Sequence, residues 1–392
     1  MLGSLALLLA VGLLAGKAVS MLCLPGLLGM LMVGILVGPY ALDLLNPDLL
    51  HISQELRSLA LIIILLRAGL GLKRKNLAQV GSAALRLSCI PCILEGITVM
   101  TLSHYLLGLT FAEAGMLGFI ISAVSPAVVV PGMINLKEQG YGEDKQISTL
   151  ILAGASVDDV FAITLFTSFL ALGLQGQTNL WLELGRIPLS IGAGILGGFL
   201  VAMVLLKLYG YKPLVTRNTE KLLLLIAFAV FYFDIGEHIG IASLLGVMTI
   251  GLVILEKRKK SAVQFAVKLA KVWIFAQVIL FTLVGAQVNI HVAIEAGLIG
   301  TLIIAMGLIG RSLGVWIATL GTNLNTKEKL FCIIAYMPKA TVQAAIGALP
   351  LAAGIEAGST ILALAVLSIL ITAPLGAVGI KVGAPLLLHK DL

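Results

Sequence analysis

The chain has 392 residues, 59% hydrophobic and 11% charged, with 43 glycines and a mean hydropathy of +1.10. Soluble globular chains carry about a quarter charged residues, so 26 Lys+Arg and 19 Asp+Glu are too few to coat a soluble protein of this size. That excludes a soluble enzyme, a disordered chain and, despite a pI near 9.2, a nucleic-acid binder, and leaves an all-α polytopic membrane protein.

A helix needs about 20 mainly apolar residues to cross a bilayer. In chain order thirteen stretches fit: 2–19, 22–41, 55–72, 82–107, 112–135, 147–173, 182–208, 220–238, 240–256, 265–288, 294–320, 328–352 and 358–386. They are apolar all round and lack the alternation of barrel strands. The first run has neither a basic leader nor an A-x-A site, so it is expected as a retained span. With the N-terminus outside, twenty-one bases from Lys17 to Lys390 fall on one face, against Arg57 and Arg186 on the other. The positive-inside rule then predicts a multi-pass protein of the cytoplasmic membrane, with its C-terminus inside. Cys89-Ile-Pro-Cys92 has redox spacing but opens an apolar helix without βαβ context, so packing is the expected role. The histidines at 51, 104, 238, 291 and 389 sit near span ends, which argues against a histidine metal site.

The second half repeats the first. Leu27-Leu28-Gly29 with Gly34 recurs as Leu244-Leu245-Gly246 with Gly251, 217 residues on; Gly69 matches Gly285 at 216, and Pro126 matches Pro338 at 212. Seven spans separate each pair, so the copies face opposite ways across the membrane. Inverted repeats with interrupted helices at matching places point to a secondary transporter with a midplane site. The expected interruptions are SAVSPAVVVPG (122–132) and AYMPKATVQAAIG (335–347). Proline removes a backbone donor, and broken backbone survives in a membrane only inside protein or beside an aqueous cavity. Two such helices crossing would offer carbonyls and helix-end dipoles to a small ion.

Six charges remain near mid-span: Arg67, Glu95, Asp158, Asp159, Arg311 and Lys339. At about 2.5–3.5 kcal/mol each on an isolated helix, together they would cost about 15–21 kcal/mol, so they must be paired or hydrated. Asp158-Asp159 is the sharpest feature. Adjacent positions on a helix point about 100° apart, so the two carboxylates meet different neighbours and can exchange protons for a hard monovalent cation. Ser156 adds an oxygen nearby, and Gly154 and Ala155 allow close approach. Glu95 and Arg311 are 216 apart, the repeat offset, and carry opposite charge. A pseudo-two-fold axis would join them as a structural ion pair between the repeats. Lys339 follows the second break and is expected to stabilise it, through helix-end carbonyls or Asp158. Arg67, near a span end, is expected to snorkel.

The motifs SAVSPAVVVPGM, ASVDDVFAIT behind a GYG loop, MPKATVQAAIG and VLSILITAPLG resemble the monovalent cation/proton antiporter superfamily, and within it the NHA-type sodium/proton antiporters. The resemblance runs from about residue 60 to the end. It implies a fold of two inverted repeats with crossed discontinuous helices. A core of 82–173 and 294–386 would move elevator-fashion against a dimerisation scaffold of 1–72 and 182–288. It implies that Asp158 and Asp159 bind Na⁺ or Li⁺ and H⁺ competitively, that Asp159 is the principal ligand, and that Thr341 contributes. No organic cofactor is implied, and the chain would be a homodimer in the lipid bilayer. The alternative is a K⁺/H⁺ antiporter or a sodium-coupled solute symporter on the same fold. One departure stands out: electrogenic bacterial relatives carry a lysine in a motif like GKPLG, where this chain reads Gly310-Arg311-Ser312-Leu313-Gly314. Arginine keeps its proton, so exchange of one H⁺ per Na⁺ is expected.

Overall fold

A computed structural model describes residues 1–22, 24–71, 74–174, 180–210, 217–239, 241–295 and 297–390. Among them the chain forms eighteen helices and no strand, as a sequence apolar on every face requires. The first eight are α1 (Leu2–Met21), α2 (Leu27–Val37), α3 (Pro47–His51), α4 (Ser53–Gly71), α5 (Arg74–Leu107), α6 (Phe111–Ile121), α7 (Pro126–Glu138) and α8 (Ile147–Leu174). Then come α9 (Leu180–Gly210), α10 (Asn218–Ile239), α11 (Ser243–Lys257), α12 (Lys259–Ala286) and α13 (Ile290–Glu295). The last are α14 (Gly297–Ala318), α15 (Thr326–Ala335), α16 (Thr341–Ile346), α17 (Leu349–Ala352) and α18 (Gly358–Leu387). Among the described residues six stretches, in α1, α5, α9, α12, α14 and α18, are long and apolar enough by themselves to cross a membrane.

The chain divides into two compact units. One contains Met1–His51, Arg74–Leu174 and Phe281–Leu392. In it α14 lies along α5, and α5 also packs on α6 and α8. Near its edge α2 crosses the end of α12 at Gly34, where a Cβ would collide with the carbonyl of Thr282. The other contains Ile52–Lys73 and Gln175–Leu280, with α11 against α4 and α9. There a Cβ on Gly69 would collide with the carbonyl of Met248. Each glycine lets two backbones approach within contact, the packing expected of membrane helices.

Both expected interruptions are present. The span at 112–135 is two half-helices, α6 and α7, separated at 122–125; the one at 328–352 breaks at 336–340 before α16. The two begin alike. Thr110 caps α6 in a capping box with Glu113, and Asn325 caps α15 in a capping box with Glu328, 215 residues later. Each box satisfies two of the backbone N–H groups that a helix start leaves unpaired. The prolines, in contrast, are not equivalent. Pro126 is the first residue of α7, where a missing N–H costs nothing, whereas Pro338 lies in the extended link three residues before α16. Their spacing of 212 is shorter than the offset of 215 that relates the half-helix starts, because they break their helices at different points.

Candidate ion-binding site

The two breaks lie against each other in the first unit, and the buried charges gather around them. Ser125 N donates to Pro338 O at 2.8 Å, so one link hydrogen-bonds the other. Ser125 and Thr341, 216 residues apart, bring their hydroxyls to 3.4 Å.

Arg311 is the hub. Its position follows from the α5–α14 crossing, where Gly314 is so close to Pro91 that a Cβ would overlap the Pro91 backbone. The guanidinium is fully buried, and each of its nitrogens is used. Nη1 donates to Glu95 Oε2 at 2.7 Å and to Ser122 O; Nη2 donates to Asp158 Oδ1 at 3.2 Å and Oδ2 at 3.1 Å. Nε donates to Tyr336 O, and the guanidinium carbon stands 5.4 Å from the Tyr336 ring centroid. Arg311 thus serves a backbone carbonyl at each break and two carboxylates, which suits the planar five-donor fork.

Glu95, on α5, takes a second cation. Lys339 Nζ donates to the same Oε2 at 2.6 Å, while Lys339 N donates to Thr372 Oγ1 on α18 at 2.9 Å. Lys339 therefore pairs with Glu95, and not with Asp158 or the helix-end carbonyls that the sequence suggested. Its position in the second link, directed across to α5, is a tertiary fact that hydropathy does not encode.

The adjacent aspartates differ sharply in their surroundings. Asp158, fully buried on α8, accepts from Arg311 and from Val124 N at 2.7 Å. Asp159 is 8% exposed, and its buried Oδ1 has no hydrogen-bond partner. The side chains of Ser156 and Pro126 lie outside the described residues. Arg67 is exposed on α4. Cys89, Cys92 and Cys332 are free thiols, with Cys92 Sγ 3.3 Å from Ser122 Oγ. No group of three or more His, Cys, Asp or Glu side chains placed to hold a metal occurs among the described residues.

One polar residue escaped the sequence reading. Gln343, on α16, is fully buried and donates from Nε2 to Ile120 O at 2.9 Å, Ile121 O at 3.3 Å and Ala123 O at 2.8 Å. It is uncharged, so a search for intramembrane charge passes over it; a glutamine inside an apolar half-helix was the available signal.

In formal charge, Arg311 and Lys339 oppose Glu95, Asp158 and Asp159, which leaves the cluster at −1 when all three carboxylates are ionised. One proton or one monovalent cation neutralises it.

Comparison with known proteins bears on the family and the fold. Residues 5–383 match the family described as sodium/hydrogen exchanger, transmembrane. Sodium/hydrogen exchanger 9B2 of Xenopus tropicalis is 37% identical over 414 residues, covering 99% of this chain and 75% of the relative. The human protein of that name is 36% identical, covering 94% and 70%, and human sodium/hydrogen exchanger 9B1 is 34% identical, covering 94% and 73%. Among solved structures, the sodium proton antiporter MjNhaP1 from Methanocaldococcus jannaschii at pH 8 superposes with a TM-score of 0.84 at 21% identity, covering 98% of both chains. The fold is therefore that of the sodium/proton antiporters.

Proposed function

The chain belongs to the transmembrane sodium/hydrogen exchanger family, a family of transporters and not enzymes, and from that premise we propose that Na⁺ and H⁺ compete for Asp159. The observation that carries this reading is the contrast between the two aspartates. Asp158 is committed to Arg311 and Val124, whereas Asp159 keeps a buried oxygen without a partner. An unpaired buried polar group costs about 1–3 kcal/mol, more if charged, and either a proton or a hard cation at that oxygen relieves it. Competition at one carboxylate couples the two fluxes with no further device: deprotonated Asp159 takes Na⁺ or Li⁺ in one facing state, and protonation releases it in the other.

Thr341 adds a hydroxyl, since its 3.4 Å contact with Ser125 leaves it able to turn toward a cation, and Ser156 is placed by sequence to add another. Glu95, Arg311 and Lys339 hold the breaks and set the charge of the cluster. Because the cluster stands one charge from neutrality and Arg311 keeps its proton, the exchange is one H⁺ per Na⁺. No cofactor takes part; the ions are substrates. In this reading 82–173 and 294–386 carry the ion in an elevator-like cycle against a dimeric scaffold of 1–72 and 182–288, with the basic-rich face cytoplasmic.

The test is Na⁺-driven proton movement in proteoliposomes. Asp159→Asn is expected to abolish it, and retained exchange rejects the assignment. A steady current with a stoichiometry above one rejects the 1:1 coupling.

A further inference from the structure

We infer that Gln343 is a positioning residue for cation binding, acting on Asp158 through the single peptide group between Ala123 and Val124; the inference rests on the exchange reading above. Helix α6 ends at Ile121, and the last carbonyls of a helix lack intrahelical partners. In most helices water or a following turn supplies them. Here the carboxamide of Gln343 comes from the other broken helix, 220 or more residues away, and shares its two N–H groups among Ile120 O, Ile121 O and Ala123 O. Three carbonyls around one end of the amide fix that end as nitrogen, because oxygen there would face three acceptors.

The third of these bonds reaches the site. Ala123 O and Val124 N belong to one peptide plane. Its oxygen accepts from Gln343 Nε2 at 2.8 Å, and its N–H donates to Asp158 Oδ2 at 2.7 Å. The sequence of bonds is Gln343 amide, peptide group, Asp158 carboxylate. Donation to a peptide oxygen polarises the same peptide's N–H, and hydrogen bonds in such a chain strengthen one another in a low-dielectric interior. Gln343 therefore strengthens and orients one of the contacts that hold Asp158 beside Asp159. It also sets the distance between the end of α6 and the start of α16, whose Thr341 lies two residues earlier.

The first repeat has no equivalent of this clasp, since the position 216 earlier is Ala127. The device acts from one side only, on the link that touches the aspartates. Removing the amide donors loosens the 122–125 link and Asp158 with it, so the occupied geometry of the ion site degrades while the machinery that carries it stays intact. The signature is a change in the Na⁺ concentration required, at little change in maximal rate.

Gln343→Met removes the donors at similar length and no change in charge; Gln343→Asn keeps them one methylene short. The full chain is measured in two ways: Na⁺-dependent dissipation of a pH gradient in proteoliposomes, and the Na⁺ concentration that half-maximally raises the melting temperature of the purified protein, since a ligand stabilises the state it binds. Gln343→Met is therefore expected to raise both half-maximal Na⁺ concentrations together, by about fivefold or more. Gln343→Asn is expected to give a smaller shift in the same direction. A clasp that is merely structural lowers the Na⁺-free melting temperature or the maximal rate and leaves both Na⁺ dependences in place; that result overturns the inference. If Gln343→Met yields no folded protein, the asparagine variant decides, and an unshifted Na⁺ dependence there overturns it as well. If the unaltered chain neither exchanges nor is stabilised by Na⁺, the exchange reading fails first and the inference falls with it.

Discussion

Glu95 holds two cations on one oxygen, which makes it the most informative residue to remove. In Glu95→Gln the side chain keeps its shape, but Lys339 and Arg311 lose the carboxylate at 2.6 and 2.7 Å. Arg311 retains Asp158 and its carbonyls; Lys339 has a neutral acceptor only. Breaking a buried pair by removing one partner typically costs about 3–5 kcal/mol, because the remaining charge is left uncompensated. The cluster also moves from −1 to zero with Asp159 ionised, so neither a proton nor Na⁺ is needed to balance it. The single variant should therefore melt at a lower temperature and lose Na⁺-induced stabilisation. Adding Lys339→Met removes the stranded ammonium and returns the cluster to −1. The double variant should recover most of the melting temperature and part of the Na⁺ response, although Lys339→Met alone is itself destabilising. The assay is a double-mutant cycle on melting temperature, with and without Na⁺. Additive losses, with the double variant below both singles, would refute the charge argument.

The proposed competition at Asp159 fixes the sign of the pH dependence. Below the titration of that carboxyl, the Na⁺ concentration for half-maximal exchange should rise by up to about tenfold for each unit of pH lost, and a Na⁺ requirement independent of pH contradicts a shared site. At the α5–α14 crossing, Gly314→Leu forces the helices apart at Pro91 and withdraws Arg311 from Glu95. Overpacking of this kind costs about 1–3 kcal/mol, so melting temperature and exchange should fall together, and an unaltered melting temperature speaks against the contact. The two capping boxes should differ in salt dependence. Glu328 also receives Lys145 Nζ at 2.9 Å on each oxygen, whereas Glu113 receives Ala357 N at 3.1 Å. Glutamine still completes a capping box, so Glu113→Gln should leave the melting temperature nearly unchanged, whereas Glu328→Gln also removes the charge that faces half-buried Lys145, should lower the melting temperature, and should lose part of that effect at high salt.

The class of the molecule and the buried charges that gather at the two breaks were legible because charge is scarce in this chain. Glu95 and Arg311 declared themselves by lying 216 residues apart with opposite sign, and the structure joins them at 2.7 Å. Asp158-Asp159 was visible as two acids where an apolar span tolerates none. The family resemblance named Asp159 as the principal ligand, but the residues by themselves could not show which carboxylate Val124 N and Arg311 reach. The prolines misled for a related reason. A break can be made by proline at the start of the second half-helix or within the link before it, and this chain does one of each. The better repeat marker was the cap, Thr110 with Glu113 and Asn325 with Glu328, whose spacing reflects how helices begin and is independent of how they are interrupted.

The frame and the site obey different symmetries, and the difference bears on stoichiometry. Positions related by the repeat meet each other: Glu95 with Arg311, and Ser125 with Thr341. Had the equivalent positions carried the same charge, they would have repelled across the axis; opposite charge turns the symmetry into attraction. Helix α8 brings both aspartates to this frame. Its counterpart in the second repeat, α18, contains no acidic residue and instead offers Thr372 to the backbone of Lys339. A doubled frame with acids on one arm has one carboxylate left over after its cations are matched, because Arg311 serves Glu95 and Asp158 while Lys339 serves Glu95 alone. That surplus falls on Asp159, the member of the pair with the unpartnered oxygen. One surplus charge accommodates one ion at a time, so the asymmetry between α8 and α18 is what the proposed exchange of a single proton against a single cation rests on.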